Sequence, residues 1–158
     1  MRFVLDDQSV FLPEHEISRQ KIQHVQACDF VTLYRRRNSN ILLFIEAKSS
    51  APYQDEDLAH YLSSIYQQFW HSLFFYISLV LKRRRPYQDY SLPDSLQQTQ
   101  NLKRAIMCVL VVREHKSEWL QPLQEALRLK MLGLKKSLFL QDIIVTNEQG
   151  AKKYGLVK

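Results

Sequence analysis

Apolar residues along this chain change their spacing several times, and each change marks an element. Residues 28–34 (CDFVTLY) and 41–49 (ILLFIEAKS) are rich in β-branched and aromatic side chains, which predicts two strands. Between them lies RRRNSN, whose Asn-Ser-Asn residues suit a turn, so residues 28–49 read as one antiparallel hairpin. In the second strand Ile41, Leu43 and Ile45 share one side while Leu42 and Phe44 share the other. A strand apolar on both sides belongs in the middle of a sheet.

The spacing then lengthens. After Ala51-Pro52, the run Asp55-Glu56-Asp57 places negative charge where a helix N-terminus favours it. Leu58, Leu62, Ile65, Phe69, Leu73, Tyr76 and Val80 recur every three or four residues, predicting a long helix with a buried stripe. Lys82-Arg83-Arg84-Arg85 and then Pro86 end it. Its apolar core, residues 69–81, is too short to cross a membrane and holds His71 and two serines, so a buried helix is expected. Residues 87–100 are polar and read as a surface loop. A wholly apolar run at 105–112 suits a buried strand, residues 118–131 an amphipathic helix and 138–146 a last strand. Towards the N-terminus, residues 1–5 and 9–12 suit short strands. Residues 14–26 read as a helix, although Ile17, Ile22 and Val25 fit neither period well.

Strand, helix, strand after a hairpin predicts a parallel crossover joined to it, hence an α/β fold with a central mixed β-sheet flanked by α-helices. The 158 residues show no repeat or Gly/Ser linker, which predicts a single domain over 1–158. A net charge of +6 favours a polyanionic partner, but ribosomal, membrane-surface and plain soluble domains share such a charge, so other features must decide for nucleic acid. Cys28 and Cys108 form no CxxC pair, which argues against a zinc knuckle or disulfide framework and suits a cytoplasmic protein. Acidic residues near the N-terminus give no export signal. His15, His24, His60, His71 and His115 have no metal-ligand spacing and read as structural or surface residues.

The candidate chemistry lies in the hairpin. Glu46 and Lys48 interrupt an otherwise aliphatic strand, where a charge is costly unless paired or bound to a metal. If the turn closes about the Arg37/Asn38 bond, facing residues have numbers that sum to 75, which sets Asp29 opposite Glu46. Like charges so placed repel and call for a cation between them. Lys48, two residues on, projects from the same face as Glu46. Two carboxylates beside one ammonium suit Mg²⁺, which takes oxygen ligands from protein, water and phosphate. The plainer reading is a structural salt bridge at a sheet end.

In their order and placement, Asp29 and Glu46-Ala47-Lys48 resemble the D…(D/E)xK signature of the PD-(D/E)xK nuclease superfamily, with Cys28 where that signature has proline. The resemblance covers residues 28 to about 80. It implies a restriction-endonuclease-like core, Mg²⁺ or Mn²⁺ as cofactor, and hydrolysis of nucleic-acid phosphodiesters, most often as a DNA endonuclease. It further implies Asp29 and Glu46 as metal ligands, Lys48 as the catalytic lysine and, in many members, a glutamate from an N-terminal helix. Glu14 and Glu16 are the candidates for that glutamate, with Glu16 favoured because it adjoins Ile17. Glutamines in the following helix assist some relatives, which singles out Gln67 and Gln68, while Tyr66 and Trp70 read as packing. Relatives also suggest a homodimer. The alternatives are a catalytically inactive subunit of the same fold that binds nucleic acid or organises an assembly, and a protein-interaction module.

Arg35, Arg36 and Arg37 put three adjacent positive charges on the hairpin turn, suited to a phosphate backbone. Changing all three to Ala should flatten the salt dependence of DNA binding measured by titration at several ionic strengths. An unchanged slope removes the turn from the interface.

Overall fold

The computed structural model describes residues 1–4, 9–36, 39–53, 55–83 and 92–158. Five strands form one sheet in the order β1 (Val10–Phe11), β2 (Phe30–Arg36), β3 (Ser39–Lys48), β4 (Ile106–Val112) and β5 (Asp142–Thr146). The first three pair antiparallel, whereas β3, β4 and β5 run parallel, so the sheet is mixed and the fold α/β. In the hairpin Phe30 faces Ile45 and Arg36 faces Ser39, the register expected from closure about the Arg37/Asn38 bond.

The apolar character of β3 reflects its central place. Leu42 and Phe44 pack beneath α2 (Asp55–Val80) in the larger core, joined by Leu62, Ile65, Phe69, Leu73 and Tyr76. Ile41, Leu43 and Ile45 face a smaller cluster with Val109, Val111, Leu156 and Val157. Both parallel connections run through helices: α2 joins β3 to β4, and α3 (Ser117–Lys130) with α4 (Leu132–Ser137) joins β4 to β5. Leu123 and Leu127 of α3 enter the larger core, so α2 and α3 cover the same face. No helix among the described residues is long and apolar enough to cross a membrane.

Several elements differ from the sequence pattern. The helix expected over 14–26 stops early: α1 spans Pro13–Arg19. Lys21 turns left-handed at φ 54°, and its amide and that of Ile22 bond back to Ser18 and Ile17. This closure satisfies the free carbonyls that end a helix. Lys82 ends α2 in the same way, with Arg83 bonded to Ser78. The strand expected at 1–5 reduces to a bridge between Phe3 and Val157, and residues 5–8 lie outside the described residues. The expected surface loop is also only partly so. Residues 84–91 lie outside the description, but 92–103 form two 3₁₀ turns that bury Leu96 and Asn101, with Tyr76 Oη donating to the Leu96 carbonyl at 2.9 Å. A helix absent from the expectation, α5 (Glu148–Lys153), follows β5 and is capped by Asn147, which accepts from the Gly150 amide.

Phe69 is fully buried between α2 and the sheet. Phe69→Ala should lower unfolding free energy by about 3–5 kcal/mol in urea titrations, the cost of lost burial plus a cavity. A loss below 1 kcal/mol means that α2 is not the lid of the core.

Candidate active site

The last backbone pair of the hairpin is Phe30 with Ile45. One residue beyond it, side chains replace the ladder. The Asp29 amide donates to Glu46 Oε2 at 3.2 Å, and the Ala47 amide donates to Asp29 Oδ2 at 2.8 Å. Each carboxylate thus stands where a strand carbonyl would have accepted. Lys48 Nζ lies 2.5 Å from Glu46 Oε1. The three residues expected to converge do so, at the end of β3 and on the face covered by α2.

The peptide before Asp29 is pinned from above. Ser72 Oγ on α2 accepts from the Cys28 amide at 2.8 Å, and His71 Nδ1 accepts from the Gln26 amide at 3.1 Å. Cys28 is fully buried, and burial pushes its thiol pKa far above the ordinary range. A small apolar residue here packs against α2 and carries no free thiolate.

Glu46 is 1% exposed, while the Lys48 side chain keeps 32% of its surface. Burial pushes the Glu46 carboxyl up to about 7, the charge of Asp29 adds to the rise, and Lys48 opposes it. Two carboxylates against one ammonium leave this corner short of positive charge at neutral pH. A cation bound there competes with a proton.

Above the pair, α2 presents a polar flank beside its apolar stripe. Tyr61, Gln68 and Ser72 are spaced by seven and four residues, hence on one side of the helix. Tyr61 Oη and Gln68 Oε1 are the buried side-chain polar atoms without a hydrogen-bond partner among the described residues. Burial and, secondarily, the charge of Glu46 hold the Tyr61 phenol well above its usual range, so it stays a neutral donor. Of the two glutamines singled out, Gln67 is exposed and Gln68 turns inward. Tyr61 was not foreseen, since a tyrosine on an amphipathic helix carries no signal until its neighbours are known.

Other candidates lie elsewhere. Glu16 is buried, but Arg19 grips it through Nη2 at 2.6 Å and Nε at 3.1 Å, and Gln20 donates to it as well. Burial alone would raise its pKa, yet these partners outweigh that and hold it below the ordinary value. No group of three His, Cys, Asp or Glu side chains among the described residues is placed to hold a metal, so Glu16 does not join Asp29 and Glu46 in such a cluster. Glu14 is exposed on α1. Arg35 is exposed near the hairpin tip, six residues from Asp29 along β2, or about 20 Å at strand rise. Arg36 pairs with Ser39 through the backbone, and Arg37 lies outside the described residues. Trp70 is exposed against Phe74, with ring centroids 4.3 Å apart, so its packing is at the surface. A cavity of about 500 Å³ opens on the opposite face of the sheet against Ile41, Leu43, Val109 and Ile144, and none of the three site residues lines it.

No protein-family model, curated protein or solved structure matches this chain.

The raised pKa of Glu46 has a stability consequence. The folded state holds this proton more tightly than the unfolded state, where the ordinary value is 4.5. The contribution is therefore complete below about pH 4.5 and lost as pH rises through about 7. In metal-free buffer with EDTA, Glu46→Gln should gain on wild type by on the order of 2–3 kcal/mol between pH 4 and pH 8.5. Urea denaturation at both pH values measures this, and parallel curves for the two proteins would mean that Glu46 is not strained.

Proposed function

We propose that this chain is a metal-dependent nuclease that hydrolyses nucleic-acid phosphodiesters, with DNA as the favoured substrate and endonucleolytic cleavage as the favoured mode. The reading takes the core to be restriction-endonuclease-like. One observation carries it: Asp29, Glu46 and Lys48 meet at the end of the hairpin with negative charge in excess.

The donor set fits a hard divalent cation. Glu46 and Asp29 offer carboxylate oxygens, and Asp29 Oδ2 and Glu46 Oε2 are already steered by backbone amides. With two protein carboxylates, the remaining positions would fall to water and substrate oxygens, as Mg²⁺ commonly accepts. Bound between Asp29 and Glu46, Mg²⁺ or Mn²⁺ would supply charge for the scissile phosphate and acidify the attacking water.

The chain's own groups have distinct tasks. Asp29 and Glu46 would hold the cation at the strand end. Lys48, one-third exposed at its side chain, meets the negative charge that develops on the phosphoryl oxygens and orients the water. Glu46 must be ionised to act as a ligand, so binding of the cation strengthens as pH rises through about 7. Tyr61 supplies an unpaired hydroxyl near Glu46.

The rival reading, an inactive subunit of the same fold that binds nucleic acid or organises an assembly, draws on the lack of a third ligand among the described residues. It requires metal-independent binding without cleavage. Purified protein incubated with linear, circular and single-stranded DNA should cut in Mg²⁺ or Mn²⁺ and stop in EDTA. Lys48→Ala and Asp29→Ala should each lower the rate by about 100-fold or more. Cutting at the wild-type rate by either variant would remove these residues from the chemistry and assign the activity to a contaminant.

A further inference from the structure

Beyond the strand end that carries Lys48, the chain builds a flat aromatic surface that the hydrolytic site does not use. The β3–β4 pairing continues past both strands: the Arg113 amide donates to the Lys48 carbonyl at 2.9 Å and that of Glu114 to Ser49 at 3.1 Å. The next residue, His115, is buried, and the ring of Tyr53 stacks on it at 5.8 Å with an interplanar angle of 11°. Trp119, in the first turn of α3, meets Tyr53 edge-on at 4.4 Å and His115 at 5.7 Å. Lys116 Nζ sits 4.6 Å from the Trp119 ring centroid.

Tyr53 is nevertheless 61% exposed. With His115 and Trp119 packed against it, the Tyr53 ring still keeps most of its surface in solvent. Burial lowers the pKa of His115, so at neutral pH it backs Tyr53 as an uncharged flat ring. The four charges that flank His115 and Trp119 in sequence cancel, Arg113 and Lys116 against Glu114 and Glu118. A surface without net charge but with an open, rigidly backed ring selects a flat apolar group more than a phosphate.

We propose that Tyr53, backed by His115 and Trp119, is a stacking platform for an unpaired nucleobase of the strand whose phosphate lies at Asp29, Glu46 and Lys48. The inference rests on the nuclease reading and narrows it: the substrate presents single-stranded or unstacked nucleotides at the site. Continuity supports this, since Tyr53 follows Lys48 by five residues and His115 follows the ladder that ends at Lys48 and Ser49. A base stacked within duplex DNA has no free face to offer Tyr53, whereas an unpaired one does.

The test compares a fluorescein-labelled 12-nucleotide oligodeoxythymidine with a 12-base-pair duplex, by anisotropy in Ca²⁺ for binding and in Mg²⁺ for cleavage. Tyr53→Ala should weaken single-strand binding by about tenfold and leave duplex binding within about twofold, while Tyr53→Trp retains both. Circular dichroism at the assay temperature should show the Tyr53→Ala protein fully folded, because Tyr53 keeps most of its surface in solvent. Equal single-strand affinity in Tyr53→Ala and wild type, or equal losses on both substrates, overturns the platform. So does failure of wild type to bind either oligonucleotide. The nuclease reading fails separately, when wild type binds the single strand through Tyr53 but Mg²⁺ produces no cleavage that Lys48→Ala removes.

Discussion

Two carboxylates held face to face at the end of a hairpin set the terms for everything around them. Asp29 and Glu46 take the place of the next rung of the β2–β3 ladder, each accepting from a backbone amide of the opposite strand. The amides and Lys48 offset part of their repulsion but not all of it, and the carboxyl of Glu46 rises to about 7 as a result. A sheet built for stability alone would place aliphatic side chains here and continue the ladder. The pair is tolerated because β3 is buried on both faces over residues 41–46, so strong apolar packing anchors the strand that carries the strain.

Helix α2 serves both demands. Its apolar stripe, from Leu62 to Tyr76, seals the sheet. The flank beside that stripe brings Ser72 to the Cys28 amide and sets Tyr61 near Glu46. The helix cannot shift to relieve the site without opening the core. That rigidity is what a group of charges needs if its spacing is to be kept in the absence of a ligand.

The site also occupies a particular point in the topology. At the Glu46 end of β3, strand β2 begins, while β3 and its parallel neighbour β4 both end. The two segments leaving the parallel strands lead into the starts of α2 and α3, and there Tyr53, His115 and Trp119 gather. The hairpin tip, with Arg35, lies at the other end and shares none of this.

Reading the residues alone was enough to place Asp29 opposite Glu46, because a tight turn and a period of two fix both register and face within twenty residues of chain. It was enough, too, for the long helix and the buried strand at 106–112, whose apolar spacing is regular and strong. The left-handed close of α1 at Lys21 and the grip of Arg19 on Glu16 are local but leave no mark on the apolar spacing, whereas what depended on distant partners was out of reach, as with the burial of Leu96 under Tyr76. Tyr61 near Glu46 and Tyr53 against His115 belong with the latter. Periodicity reports which side of an element a residue occupies, but the identity of what it meets is settled when helices and loops far apart in sequence pack into the same space.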